Sequence, residues 1–241
     1  MGVNYGAAKD FIFQGALAFL KKKKPVTQEI YKRLDEQSRA KAFTVSGYSS
    51  LEILNTFLDA LEKAVEEGTT KDAFRKTLNH FLQDNGYEAM NPWKSDTIFR
   101  TNVQTAYNVG HYESMTDSTV MQLRPYWQYK TVGDGDVRDA HAAMHGRVFR
   151  ADDPVWDVWY PPNGFRCRCI VVSLSKNQVE QRKLQVEKKA PYNVDLETGE
   201  ILPVFPDKGF SNNPAKKEWK PDMKGIRPEL KGIFKRSQQK E

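Results

Sequence analysis

The stretch Tyr129–Cys169, YKTVGDGDVRDAHAAMHGRVFRADDPVWDVWYPPNGFRCRC, decides how the rest of the chain is read. It crowds Asp134, Arg138 and His141 together. It then delivers both of the protein's cysteines, Cys167 and Cys169, just after a Pro161-Pro162-Asn163-Gly164 turn. Thiols one residue apart do not close an ordinary disulfide, because a strand points both side chains to the same face. Two soft ligands on one strand face, a histidine from a preceding helix and a carboxylate from Asp134 or Asp136 form a donor set that zinc accepts. The candidate metal ligands are therefore Asp134, His141, Cys167 and Cys169. A competing reading makes the cysteines small core residues and ties His141 to a loop carbonyl. Both readings stay open on sequence alone. A third makes His141 a general base oriented by Asp134, with Arg138 gripping a phosphate, as in a small nuclease or transferase.

Outward from this stretch, the pattern divides in two. Before it, apolar residues recur at helical spacing. They predict helices over 7–22, from Thr27 through Leu34, from Ser49 or Ser50 to Gly68, from Thr69 or Thr70 to Asn85-Gly86, and over 93–115. Around and after it, Leu123–Thr131 and Phe165–Leu174 alternate as strands do, and Arg147-Val148-Phe149 suits a short extended piece. Between the strands, 136–144 fits a short helix. The Trp156, Trp159 and Tyr160 cluster reads as a loop closing over the strands as core. Past Leu174 a polar helix runs to about Lys189, and Tyr192–Ile201 suits a hairpin around Thr198-Gly199. Pro-, Gly- and Lys-rich sequence follows, which reads as extended or disordered. The fold expected is α+β: a helical region at 1–92, a small domain with a short antiparallel sheet at 93–175, and a basic tail at 176–241.

Charge supports that division. The whole chain carries a formal net charge of +6, and residues 176–241 hold 15 Lys and Arg against 10 Asp and Glu. The remainder is nearly neutral. A basic tail suits contact with nucleic acid or an acidic protein surface, and equally a solvated lysine-rich end. The apolar run Phe11–Leu20 is broken by Gln14 and Gly15 and ends in four lysines, too short and polar for a signal peptide or membrane span. Two cysteines do not suggest a secreted disulfide scaffold, so a cytoplasmic protein with no membrane partner is expected.

The motifs together resemble a known family. The string T-x-x-D-x-x-V-R-x-x-H (Thr131, Asp134, Val137, Arg138, His141) is similar to that of the phage head morphogenesis proteins, the Mu protein F-like minor head proteins. So are Gly146, Val148-Phe149, Asp152-Asp153-Pro154, Trp156-Asp157, Tyr160–Gly164, Cys167-Arg168-Cys169 and Leu174-Ser175. Upstream, Arg100-Thr101-Asn102, Ala106-Tyr107 and Gly110 look like the family's long-helix motif. The resemblance covers about residues 5–175, with a weaker extension from Gly209-Phe210 to Trp219. It singles out Arg100, Thr101, Asn102, Tyr107, Arg138, Pro162 and Gly164 as family positions, beside the Asp134, His141 and Cys-x-Cys set. Asp136 and Asp139 depart from the basic residue and the proline common there, and Asp136 weakens a phosphate-gripping role.

The resemblance implies a non-enzymatic minor capsid protein of a phage or prophage, found in the virion inside the head and in host cytoplasm during assembly. Its implied partners are the portal and inner capsid or scaffold proteins, with packaged DNA contacted through the basic tail.

Overall fold

The computed structural model describes residues 5–194 and 197–216. Helix α1 (Tyr5–Lys21) leads into a two-residue strand β1 (Lys24–Pro25). Two short helices follow, α2 (Gln28–Arg33) and α3 (Glu36–Lys41), and then β2 (Ala42–Phe43), which pairs in parallel with β1. Both short helices start on side-chain caps. Thr27 Oγ1 accepts the Ile30 N–H at 3.4 Å, and an Asp35 carboxylate oxygen accepts the Ser38 N–H at 2.7 Å. Helices α4 (Leu51–Glu67), α5 (Lys71–Asp84) and α6 (Pro92–Met115) complete the helical part. Gly68 ends α4 at φ +67°, a left-handed conformation that glycine adopts without a Cβ penalty.

The second part begins with α7 (Ser118–Leu123), β3 (Tyr126–Lys130), α8 (Asp139–Met144), β4 (Val148–Arg150) and α9 (Trp156–Trp159). It continues with β5 (Ile170–Leu174), α10 (Lys176–Gln181) and a hairpin of β6 (Tyr192–Val194) with β7 (Ile201–Pro203). The main sheet is antiparallel in the order β4-β3-β5, with Trp127 opposite Phe149 on one side and Ser173 on the other.

Two apolar cores result. One joins α1, α4, α5 and the middle of α6 through Leu20, Leu54, Phe57, Leu61, Phe74 and Leu78. The other gathers Trp127, Tyr129, Phe149, Trp156, Trp159 and Tyr160 under the sheet, together with Met115 from the end of α6. The aromatic rings meet edge-on or tilted, as with Phe149 and Trp156 at 5.7 Å, the geometry their quadrupoles favour. Helix α6 thus serves both cores. Its polar stripe also seats β5: Gln104 and Asn108 donate to the Cys169 carbonyl at 3.5 and 3.4 Å, and His111 donates to that of Val171 at 2.9 Å.

Several expectations need correcting. The strand predicted over Phe165–Leu174 begins only at Ile170, where the β-branched run starts. Cys167 and Cys169 sit in a turn before it: the Cys167 N–H bonds to the Gly164 carbonyl at 3.3 Å, and Arg166 adopts φ +57°. The helix after Leu174 stops at Gln181 rather than near Lys189. Helices α3, α7 and α9 and the β1–β2 pair are short pieces that periodicity did not mark. The tail is packed in places, with Val204, Asn212, Asn213 and Pro214 buried, while β7 is exposed. Of the basic tail at 176–241 through which a DNA contact was expected, residues 195–196 and 217–241, Trp219 among them, lie outside the described residues. Among those described, no helix is long and apolar enough to cross a membrane.

Lys23 carries an ammonium group into the interior. Its ammonium is buried, donates to the Ala40 carbonyl at 3.0 Å and lies 5.1 Å from the centre of the Phe19 ring. Burial lowers its pKa from 10.5 to about 8. Between those values the unfolded chain keeps a proton that the folded chain has released, so stability rises with pH across that window. Wild type should gain on Lys23→Met between pH 7 and pH 10, by on the order of 3 kcal/mol at most. Urea midpoints of both proteins at the two pH values check this. Parallel behaviour would show that the lysine titrates as it does in water.

Candidate functional site

The site is built where α8, the Pro-Pro-Asn-Gly turn and the cysteine turn converge. Helix α8 is six residues long and turns His141 and Met144 inward, both buried. Arg138, at its N-cap, donates to the Phe165 carbonyl at 2.8 Å and pairs with Asp207 at 3.1 Å. Those contacts tie the helix start to the turn and to the returning tail.

His141 faces the cysteines. Its Nδ1 is 3.8 Å from Cys167 Sγ and 3.6 Å from Cys169 Sγ, and all three ligand atoms lie within 4.8 Å of one another. Its Nε2 points the other way, 3.1 Å from the Asn163 carbonyl. A carbonyl can only accept, so Nε2 carries the hydrogen and Nδ1 presents its lone pair to the sulfurs. All three residues are at most 3% exposed. The two thiols are electrostatically unlike. Hydrogen bonding within the cluster, above all between the two thiols, draws the Cys167 pKa down against burial. The same bond, then burial, pushes that of Cys169 up.

Asn163 is the hub beneath this cluster. Completely buried, it accepts the Tyr129 hydroxyl on Oδ1 at 2.7 Å, while its carbonyl accepts both His141 and the Asp207 N–H, the latter at 2.9 Å. Burial above all, and the neighbouring thiols, push the Tyr129 pKa far up, so its hydroxyl stays a donor. Gly164 makes room for the tail: a Cβ there would lie 2.2 Å from Asp207 Oδ2. Asp207 Oδ1 also stands 3.8 Å from His141 Nε2.

Three of the four predicted metal ligands therefore meet, and Asp134 does not join them. Asp134 is exposed and bound in a fork by Arg168, at 2.5 and 2.8 Å, and that hydrogen bonding holds its carboxyl below the usual range. No hydrogen bond links Asp134 to His141 among the described residues, so the base-and-carboxylate pairing does not form. Among the family positions, Arg100 pairs with Asp96 at 2.8 Å, as does Arg166 at 2.7 Å, and Thr101 Oγ1 accepts the Arg166 N–H at 3.1 Å. These are the contacts by which α6 grips the cysteine turn. Asn102 bonds back to the Ile98 carbonyl at 2.9 Å and, with Pro162, lines a neighbouring cavity. Tyr107 is 37% exposed.

A polar cavity of about 550 Å3 opens beside the cluster, with His141, Cys167 and Cys169 on one wall and Arg100, Arg138, Arg166 and Arg168 around it. Each arginine is engaged by a carboxylate, from Asp96, Asp207 or Asp134. The sequence did not single out Tyr129 or Asp207 for the site, and it assigned Asn163 no role of its own. An asparagine locked between two prolines and a glycine was the one available signal for Asn163. Asp207 lies too far along the chain to have given any.

Comparison with known proteins fits this core. The family model described as Phage Mu protein F like protein matches residues 55–172, which include α6, the main sheet and all three clustered residues. The F protein of Escherichia phage Mu, provisionally named as a capsid assembly protein, is 34% identical over 238 residues, covering 84% of this chain and 54% of that protein. The Mu-like prophage FluMu F protein of Haemophilus influenzae is 35% identical over 197 residues, covering 73% of this chain and 47% of that protein. The chain thus spans about half the length of these relatives. No solved structure matches it. By its motifs and these matches, the chain belongs to the family of phage Mu F-like proteins.

Proposed function

We propose that this chain is a non-enzymatic minor component of a phage or prophage head, acting in procapsid assembly close to the portal vertex. The observation that carries this reading is its likeness to the Mu protein named for capsid assembly, which runs through both cores and the His–Cys cluster. The site geometry agrees with a structural part. His141 is committed through both ring nitrogens, to Asn163 on one side and the cysteines on the other, and presents no free base to a substrate. The basic tail at 176–241, with 15 Lys and Arg against 10 Asp and Glu, supplies a DNA contact through the phosphate affinity of its cations.

Procapsids assembled with and without this chain test the reading. With it, filled heads form and a label on the chain marks one vertex in each particle; without it, head yield collapses. A label spread over the shell would rule out the portal position, and normal heads from the deletion would rule out the assembly role. The DNA contact predicts affinity for duplex DNA that falls at least about tenfold between 50 and 200 mM salt. Salt-independent binding, or none at either concentration, would remove it.

A further inference from the structure

We propose that His141, Cys167 and Cys169 form a zinc site with three protein ligands and an exchangeable fourth position. The first support is spacing. Zinc holds thiolate sulfur at about 2.3 Å and imidazole nitrogen at about 2.0–2.1 Å, so tetrahedral coordination separates sulfur from nitrogen by about 3.6 Å. The observed separations from Nδ1 are 3.6 and 3.8 Å. The second is direction. The Asn163 carbonyl fixes the hydrogen of His141 on Nε2, which leaves the Nδ1 lone pair aimed between the sulfurs. Histidines that bind metals are oriented in this way by a carbonyl or carboxylate on the far ring nitrogen. The third is composition: two buried sulfurs and one imidazole nitrogen, all good zinc donors, lie within 4.8 Å of one another.

The donor set selects the ion. Two sulfurs and an imidazole suit zinc and exclude magnesium and calcium, which take oxygen ligands. Among the described residues, no further His, Cys, Asp or Glu joins the three as a fourth ligand. Asp207 stands on the Nε2 side of the His141 ring, and the Tyr129 hydroxyl, which donates to Asn163 Oδ1 and also neighbours Cys169, stays protonated. What borders the cluster is the polar cavity, so the fourth ligand is water or a small anion entering past the arginines. The ion would join α8 to the cysteine turn, and through Asn163 and Asp207 it would reach the tail. This assignment is independent of the proposed role in the head.

Elemental analysis of the full chain, purified without chelator or a polyhistidine tag, is the test. About one zinc per chain is expected, lost from Cys167→Ser/Cys169→Ser. Cobalt exchanged into wild type should show thiolate-to-metal charge transfer and the intense visible bands of four-coordination, and added azide should shift those bands. In the native protein both thiols should resist a thiol reagent until a chelator is added, a readout that does not depend on a variant folding. A folded wild type that neither carries zinc nor takes it up, or a double variant that retains it in full, overturns the site. Cobalt bands indifferent to azide overturn the exchangeable position.

Discussion

Gly110→Ala should destabilise the protein by about 2 kcal/mol or more, although alanine is the better helix former by about 1 kcal/mol. The reason lies where α6 crosses α1. A Cβ on Gly110 would sit 2.2 Å from the Ile12 carbonyl oxygen and 2.8 Å from the Ala16 nitrogen, both backbone atoms that no rotamer change can move. Gly15 faces it from α1, where a Cβ would come within 2.8 Å of the Gly110 Cα. The two helices touch backbone to backbone, so an added methyl has to push them apart and open the core that contains Ala16, Leu20, Ala106 and Val109. Ala18→Leu on the exposed side of α1 serves as the control and should stay within about 0.5 kcal/mol of wild type. Chemical denaturation of the three proteins decides the matter: equal midpoints for Gly110→Ala and wild type would mean that the helices do not cross this closely.

The second large effect is expected at Asn163. Replacing it with leucine removes the strong acceptor of the Tyr129 hydroxyl and leaves that buried hydroxyl only the weakly accepting Cys169 sulfur, at a cost of about 2–3 kcal/mol. Tyr129→Phe alone should cost only about 1 kcal/mol, because it deletes the hydroxyl instead of stranding it. The double variant should therefore be less damaged than the sum of the two single ones, and a double-mutant cycle measures the coupling. Strict additivity would mean that Asn163 acts through its backbone alone, by way of His141 and Asp207.

The helical half of the fold was legible because its signals are local. The stripe of Ile53, Leu54, Phe57, Leu58 and Leu61 repeats at the helical period and stops at Gly68, and α4 follows it closely. The predicted cap at Thr70 is likewise in place, accepting the Ala73 N–H at 3.3 Å. The sheet was readable for a similar reason, from alternation in Tyr126–Lys130 and the β-branched run after Cys169. The site was readable only in part. Residue type grouped His141, Cys167 and Cys169, which the structure places within 4.8 Å of one another, but on another backbone, since the segment before β5 rather than the strand itself converges the sulfurs. Asp134 misled because closeness in sequence to His141 is no measure of direction, and Arg168 offered it a better partner. Asp207 was invisible because its role depends on a long-range return of the chain that no periodicity encodes.

That return has a consequence for the order of events in folding. The Gly209 N–H bonds to Glu36 at 2.9 Å, Phe210 stacks edge-on against Phe165, and Asn213 Nδ2 donates to the Trp156 carbonyl at 3.1 Å. These contacts bridge positions far apart in the chain, and such closures carry a large entropic cost that local helices do not. On a ribosome, the helices and the sheet can form before the clasp residues have emerged. The clasp closes last, and the floor of the His141 pocket is finished only after Asp207 has emerged.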